Sequence, residues 1–377
     1  MRKIQASDRA PNRKGRTFAL ARLLHVALAA LFLPALAACS APKAAQDANG
    51  QTVTLTYASL YPPQHPFSRA DRKWIELIER VSNGRIAIRP FWSGALITSE
   101  QNMLEARHGV ADIVMITPMY ARDAHLQRVQ ASFYPRMPHV TDQPQMYRCL
   151  AARFPVLNSE LGALHILAVQ GGNYPGLLTR NRPVLKLADL KGLRLRTQRD
   201  MAGIVRSYGG DPVDMPMSEV YSSMARGVID GVLTPPDAMA SMHLAEVGRY
   251  FTALNVPRGA YPARAMASAR WNALPQDVRA MLDRTGPEWD RLIATEVENA
   301  QARGFSEAKT NHVTMHALPD SDDTALQAAY AKHSVELARE LSRDGIDAEP
   351  IVMGSWEIAD RARKSGKVEC APAPPAG

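Results

Sequence analysis

Two apolar rhythms trade places along the chain from Val53 onward. Val53, Leu55 and Tyr57 alternate with threonines and predict a strand. Ala70, Trp74, Leu77, Ile78 and Val81 then share one helical stripe, with Ser68 and Asp71 at capping-box spacing and Asn83-Gly84 to stop it. The alternation returns at Ile86 and Ile88 and gives way to a helix through Met103 and Leu104. Next comes Asp112-Ile-Val-Met-Ile116, an unbroken apolar run that predicts a central parallel strand, and Leu164 to Val169 repeats the pattern. The first three strands open into Tyr61-Pro-Pro-Gln-His-Pro66, Phe91-Trp92-Ser-Gly-Ala-Leu96 and Thr117-Pro-Met-Tyr120. Open α/β sheets bind ligands at that carboxyl rim. Strand, loop and helix in succession, with no internal repeat, predict a doubly wound α/β fold.

At 377 residues and 46% apolar, the chain fills two cores rather than one. Residues 52–170 and 258–300 are assigned to a first lobe, and 171–257 with 301–360 to a second. The first crossing is placed in Gln170-Gly-Gly-Asn-Tyr-Pro-Gly176, and the return near Leu254-Asn-Val-Pro257, before Ala263 to Ser268 rejoins the first sheet. From Pro287 to about Asn311 the spacing of Trp289, Leu292, Ile293, Val297, Ala300 and Ala308 predicts a helix longer than usual. Ahead of both lobes, a basic region ending at Arg22 precedes Val26–Ala38, an apolar run too short to span a bilayer, so residues 1–38 read as a signal peptide. Leu36-Ala-Ala-Cys39 resembles a lipobox, which would leave Cys39 as a lipid-bearing N-terminus; the alternative is an ordinary small-residue cleavage site. Residues 39–51 then form a tether and 361–377 a tail.

The leader changes the charge picture. Seven basic residues and Asp8 precede Cys39, so most of the formal +8 leaves with it. Nothing then favours nucleic acid as a partner, or a membrane except through the lipid. Cys149 and Cys370 either pair, pinning the tail, or stay as two thiols. His312 and His316 have the spacing of a helical metal site. Val313 and Met315 alternate with them as in a strand, which sets such side chains roughly 13 Å apart, so no metal or other cofactor is expected. H-E-x-x-H, G-x-S-x-G, a phosphate loop and a dinucleotide fingerprint are all missing, which argues against an enzyme.

The richest stretch runs from Asp189 to Pro235. Asp189-Leu-Lys-Gly-Leu-Arg-Leu-Arg196 turns from helical spacing to strand alternation across Gly192 and puts Arg194 and Arg196 on one side. Val213-Asp-Met-Pro-Met-Ser-Glu-Val-Tyr221 follows, where Ser218 can cap a helix that Gly227 ends. Gly227-Val-Ile-Asp-Gly-Val-Leu-Thr-Pro235 closes it, with Val228 to Leu233 as a buried strand opening at Thr234.

These three segments, in this order and spacing, resemble the signature of the solute-binding proteins of tripartite ATP-independent periplasmic (TRAP) transporters, whose members carry DLKGLKIR, P-x-P-x-x-F-S-E-V-Y and G-x-x-D-G-x-x-N-P. The resemblance extends more weakly from about Val53 to Ala348. It implies a two-lobe fold like that of periplasmic binding proteins, with crossing strands and a long helix spanning both lobes. It also implies that Arg196 clamps a ligand carboxylate, as a planar guanidinium can. Two positions depart from the pattern: Thr234 stands for asparagine, and Met217 for an aromatic residue. Gly176 and Thr117 stand where sialic-acid binders carry an arginine and an acidic residue, which points to a smaller or more apolar acid. Tyr61, Trp92, Tyr120 and Tyr174 are expected to line its pocket. The function implied is capture of an organic acid in the periplasm for a membrane permease, without catalysis. A sensing subunit that docks to a receptor fits the same residues.

Overall fold

The computed structural model describes residues 51–370. The predicted leader, Cys39, nearly all of the tether and the last residues of the tail lie outside the described residues. In chain order the strands are β1 (Val53–Ala58), β2 (Ile86–Phe91), β3 (Ile113–Met115), β4 (Leu164–Gln170), β5 (Gly176–Thr179), β6 (Arg194–Arg196), β7 (Asp211–Val213), β8 (Gly231–Thr234), β9 (Tyr250–Ala253), β10 (Tyr261–Ala267) and β11 (Thr314–Ala317). They form two mixed sheets, ordered β2-β1-β3-β10-β4 and β11-β9-β5-β8-β6-β7. β3 is central, parallel to β1 on one side and antiparallel to β10 on the other. The buried strand expected from Val228 is shorter at its start, because Gly227 at φ +72° turns the chain and leaves Val228 exposed.

The first sheet is covered by the helix Pro66–Val81, which buries Ala70, Trp74 and Ile78 against it and leaves Val81 outside the stripe. Pro66, with no N–H to leave unpaired, opens this helix two residues before Ser68, and His65 Nδ1 caps it by accepting from Phe67 N. Asp71 is therefore no capping-box partner but a core residue. It accepts from Arg264 Nε and Nη2 at 3.0 and 3.1 Å, Trp289 Nε1 at 2.8 Å and the Tyr57 hydroxyl at 2.6 Å. Ser218 likewise makes no cap, since the helix Met217–Ala225 starts one residue earlier, behind Pro216.

The chain passes between the sheets three times. β4 leads to β5 through Gly171–Pro175, β9 returns to β10 through Leu254–Ala260, and the helix Gln276–Thr310 makes the third passage. That helix begins well before Pro287, which sits inside it. Thr285 Oγ1 hydrogen-bonds back to the Met281 and Leu282 carbonyls just ahead of the proline. Its first part lies on Pro66–Val81 and β4, with Trp289 stacked on Trp74 at 3.6 Å. Its last part lies on the helix Ala238–Ser241 beside the second sheet. Gly304 permits that contact, since a Cβ there would stand 2.0 Å from the Pro236 carbonyl.

The C-terminal helix Glu349–Ser365, expected in the second lobe as far as residue 360 with a tail from 361, packs instead on the helix Asp142–Arg153 of the first half. The cause is its apolar stripe: Ile351, Val352, Ile358, Ala359 and Ala362 are buried in a cluster with Leu150 and Phe154. A disulfide joins Cys149 to Cys370. No helix among the described residues is long and apolar enough to cross a membrane.

Candidate functional site

A cavity of about 100 Å³ opens where the rims of the two sheets face each other. A water needs roughly 10–15 Å³ by the same measure, so the space suits a small molecule rather than a polymer. β6, held between β7 and β8, delivers Arg196 into it. The side chain is only 3% exposed. Nε donates to the Met215 carbonyl at 3.0 Å, and Nη2 donates across the cleft to the Tyr120 hydroxyl at 2.6 Å. No described residue accepts from Nη1. Arg194, two residues earlier, is spent on Asp230 at the surface.

Thr234 ends β8 one strand away, 1% exposed, and its Oγ1 has no partner among the described residues. A buried hydroxyl without a partner costs free energy unless a ligand supplies one. Thr117 lines the cavity from the first sheet's side but is already satisfied, accepting from Asn102 Nδ2 at 2.6 Å and donating to the Ser99 carbonyl at 2.9 Å. Met217 lines the cavity together with Tyr61, whose ring stacks on His65 at 4.0 Å. Burial holds the phenols of Tyr61 and Tyr261 above their ordinary range, so both meet a ligand as neutral groups.

Trp92 and Tyr174 do not line this cavity. Trp92 is drawn edge-on against Tyr57 at 5.6 Å, at the margin of the first core. Tyr174 turns its hydroxyl to Met137, donating to the carbonyl at 2.6 Å and accepting from the N–H at 2.8 Å. Its neighbours Asn173 and Pro175 face the cavity in its place. At Gly176 a Cβ would stand 2.2 Å from the Phe251 ring, so no side chain fits there.

Sequence reasoning missed His65, Asn173, Asp237, Arg258 and Tyr261, all of which line the cavity. None lies in a spaced motif. His65 is the most telling, because it caps a helix through a neutral nitrogen. Burial, helped by the charges of Arg69 and Arg264, lowers its pKa to about 3. The unfolded chain takes up that proton near pH 6.5 and the folded one does not, so stability is lost as pH falls below 6.5. Between pH 6.5 and 5.5 the wild type should lose about 1 kcal/mol more than His65→Asn, which keeps a cap that does not titrate. Urea unfolding at both pH values reads this directly; equal losses would clear His65.

Residues 57–340 match the family described as bacterial extracellular solute-binding protein, family 7. The chain is 23% identical over 312 residues to the C4-dicarboxylate-binding periplasmic protein DctP of Rhodobacter capsulatus, covering 79% of this chain and 90% of that one. It is 24% identical over 303 residues to the 2,3-diketo-L-gulonate-binding periplasmic protein YiaO of Escherichia coli, covering 76% and 86%. Among solved structures, a TRAP solute-binding protein from Rhodoferax ferrireducens in complex with copurified benzoate shares its fold at a TM-score of 0.75 and 22% identity, covering 84% of this chain and all of that one. With the family matched over most of its length and two sheets joined by crossing strands and one long helix, the chain belongs to the bacterial extracellular solute-binding proteins of family 7, the periplasmic binding components of TRAP transporters and not enzymes.

Proposed function

We propose that this protein, tethered to a membrane through Cys39, captures a small organic acid at Arg196 and hands it to a TRAP permease. One observation carries the reading: a buried guanidinium, already fixed through Nε and Nη2, beside the unpartnered Thr234 hydroxyl. A carboxylate placed there would pair with the charge and accept a hydrogen bond from the hydroxyl, with little further ordering to be lost on binding. Tyr61, Tyr120 and Met217 would form the walls. The dicarboxylate, diketogulonate and benzoate in the names of the relatives are all organic acids, which supports the class. Arg196 stands on the second sheet and Tyr120 beyond β3 of the first, so a ligand touching both would favour the closed arrangement of the lobes.

Thermal-shift screening against monocarboxylates, dicarboxylates and sugar acids tests the capture step. A true ligand at a hundred times its dissociation constant should add about 2.7 kcal/mol of stability. A panel in which no acid raises the transition would refute organic-acid capture. For the tether, wild type should take up labelled palmitate and partition into detergent, and Cys39→Ser should do neither; equal labelling of the two would remove the anchor.

A further inference from the structure

Past Arg196, the cavity holds two groups of opposite charge that lie outside the signature segments' spacing. Asp237 stands at the N-cap position of the helix Ala238–Ser241 without a side-chain capping bond, and Arg258 follows Pro257 in the return passage. Asn173 Nδ2 donates to Asp237 Oδ1 at 3.1 Å and to the Val297 carbonyl at 2.7 Å, which fixes one carboxylate oxygen. Oδ2 accepts from no described side chain. Arg258 forms no hydrogen bond and no ion pair among the described residues. It lies over Gly172, where a Cβ would stand 2.8 Å from its Cζ, so the glycine makes its room. The two form no ion pair within 4 Å; burial pushes the Asp237 carboxyl above its ordinary range, and the Asn173 hydrogen bond and the Arg258 charge oppose that. Arg303, the other cation acting on Asp237, is turned towards Glu296 at 3.8 Å.

We propose that Asp237 and Arg258 select the far end of the ligand: a neutral group that donates to Asp237 and accepts from Arg258, as a carboxamide or a hydroxyl does, opposite the carboxylate held by Arg196. This rests on the acid-binding reading and adds the second half of the ligand. A second carboxylate would gain Arg258 but face Asp237. An ammonium would gain Asp237 but face Arg258. An alkyl end would dehydrate both polar groups and pair neither, the least favourable case for a site built to hydrogen-bond. A carboxamide carries an acceptor oxygen and two donor hydrogens in one plane and satisfies both.

Calorimetry at neutral pH tests this with two series, substituted butanoates and para-substituted benzoates, in which only the far group changes: carboxamide, hydroxymethyl, carboxylate, aminomethyl or methyl. The carboxamide and hydroxymethyl members should bind wild type about 10-fold or more tightly than the others. Asp237→Asn should shift the preference to the dicarboxylate and Arg258→Gln to the aminomethyl acid, each by about 10-fold, with the methyl-ended acid little changed. Melting curves establish that both variants fold, and Asp237→Ser replaces the asparagine variant if it does not. A wild type that prefers the dicarboxylate or the amino acid overturns the inference. So does a ranking that survives both substitutions. Methyl-ended acids that bind through Arg196 with a flat ranking would sink this inference alone, whereas silence of every acid would sink the acid-binding reading along with it.

Discussion

Arg196→Lys should weaken acid binding by about 10- to 100-fold, the equivalent of one charge-assisted hydrogen bond. The charge survives this substitution, so any loss reports geometry. Lysine offers a point charge on a flexible stem, whereas the guanidinium is held in plane by Met215 and Tyr120. The Met215 carbonyl and the Tyr120 hydroxyl would also lose their donor, which should lower stability slightly without unfolding the chain. Calorimetry with the tightest acid, alongside a circular dichroism spectrum, separates the two effects. Unchanged affinity would take Arg196 out of the site.

Asp71→Ala should cost on the order of 3–5 kcal/mol of stability, enough to threaten folding at growth temperature. Both members of the Asp71–Arg264 pair are fully buried, so removing the carboxylate leaves an uncompensated cation in the core. It also strips the Tyr57 hydroxyl and the Trp289 indole N–H of their acceptor. Replacing both partners at once, Asp71→Leu with Arg264→Met, should recover much of the loss, because a well-packed apolar pair carries no desolvation penalty. Denaturant unfolding of the three proteins decides it. A single mutant within 1 kcal/mol of wild type, by the usual scale of surface substitutions, would mean the pair is not buried as described.

What the chain made legible divides by the reach of the interaction. β1 and β2 could be read because strand alternation is local, β3 because its apolar run is unbroken, and the passage after β4 because paired glycines interrupt such a run. Arg196 could be placed at the cavity only through the family resemblance of the segments around it, since strand alternation alone does not tell it from Arg194. Asp71 could not, since its partner Arg264 lies 193 positions away and its own neighbours imitate a helix cap. The start of the long helix was hidden by Pro287, which reads as a first-turn proline although it sits inside. Trp92 and Tyr174 show the limit of composition: aromatic residues at a rim are as ready to pack inward as to face a ligand, and the choice is made by Tyr57 and by the Met137 backbone. Asp237 and Arg258 become neighbours only through folding, one beside the second sheet and the other in the passage back to the first.

The three passages between the sheets also bear on how such a protein can be cut and how it can diverge. Neither half is a contiguous stretch of the gene: the first sheet takes β1 to β4 and then β10, and the second takes β5 to β9 and then β11. A protease that nicks Gly171–Pro175 would leave the halves joined by two further connections, and the Cys149–Cys370 bond would still hold the C-terminal helix to the first. The cavity is less divided than the sheets, because every lining residue from the second half falls in one stretch, Gly172 to Arg258. One exchange of that stretch between relatives would therefore replace a whole wall, carrying Arg196, Thr234, Asp237 and Arg258 together, while the facing wall of Tyr61, Thr117, Tyr120 and Tyr261 stayed as it was.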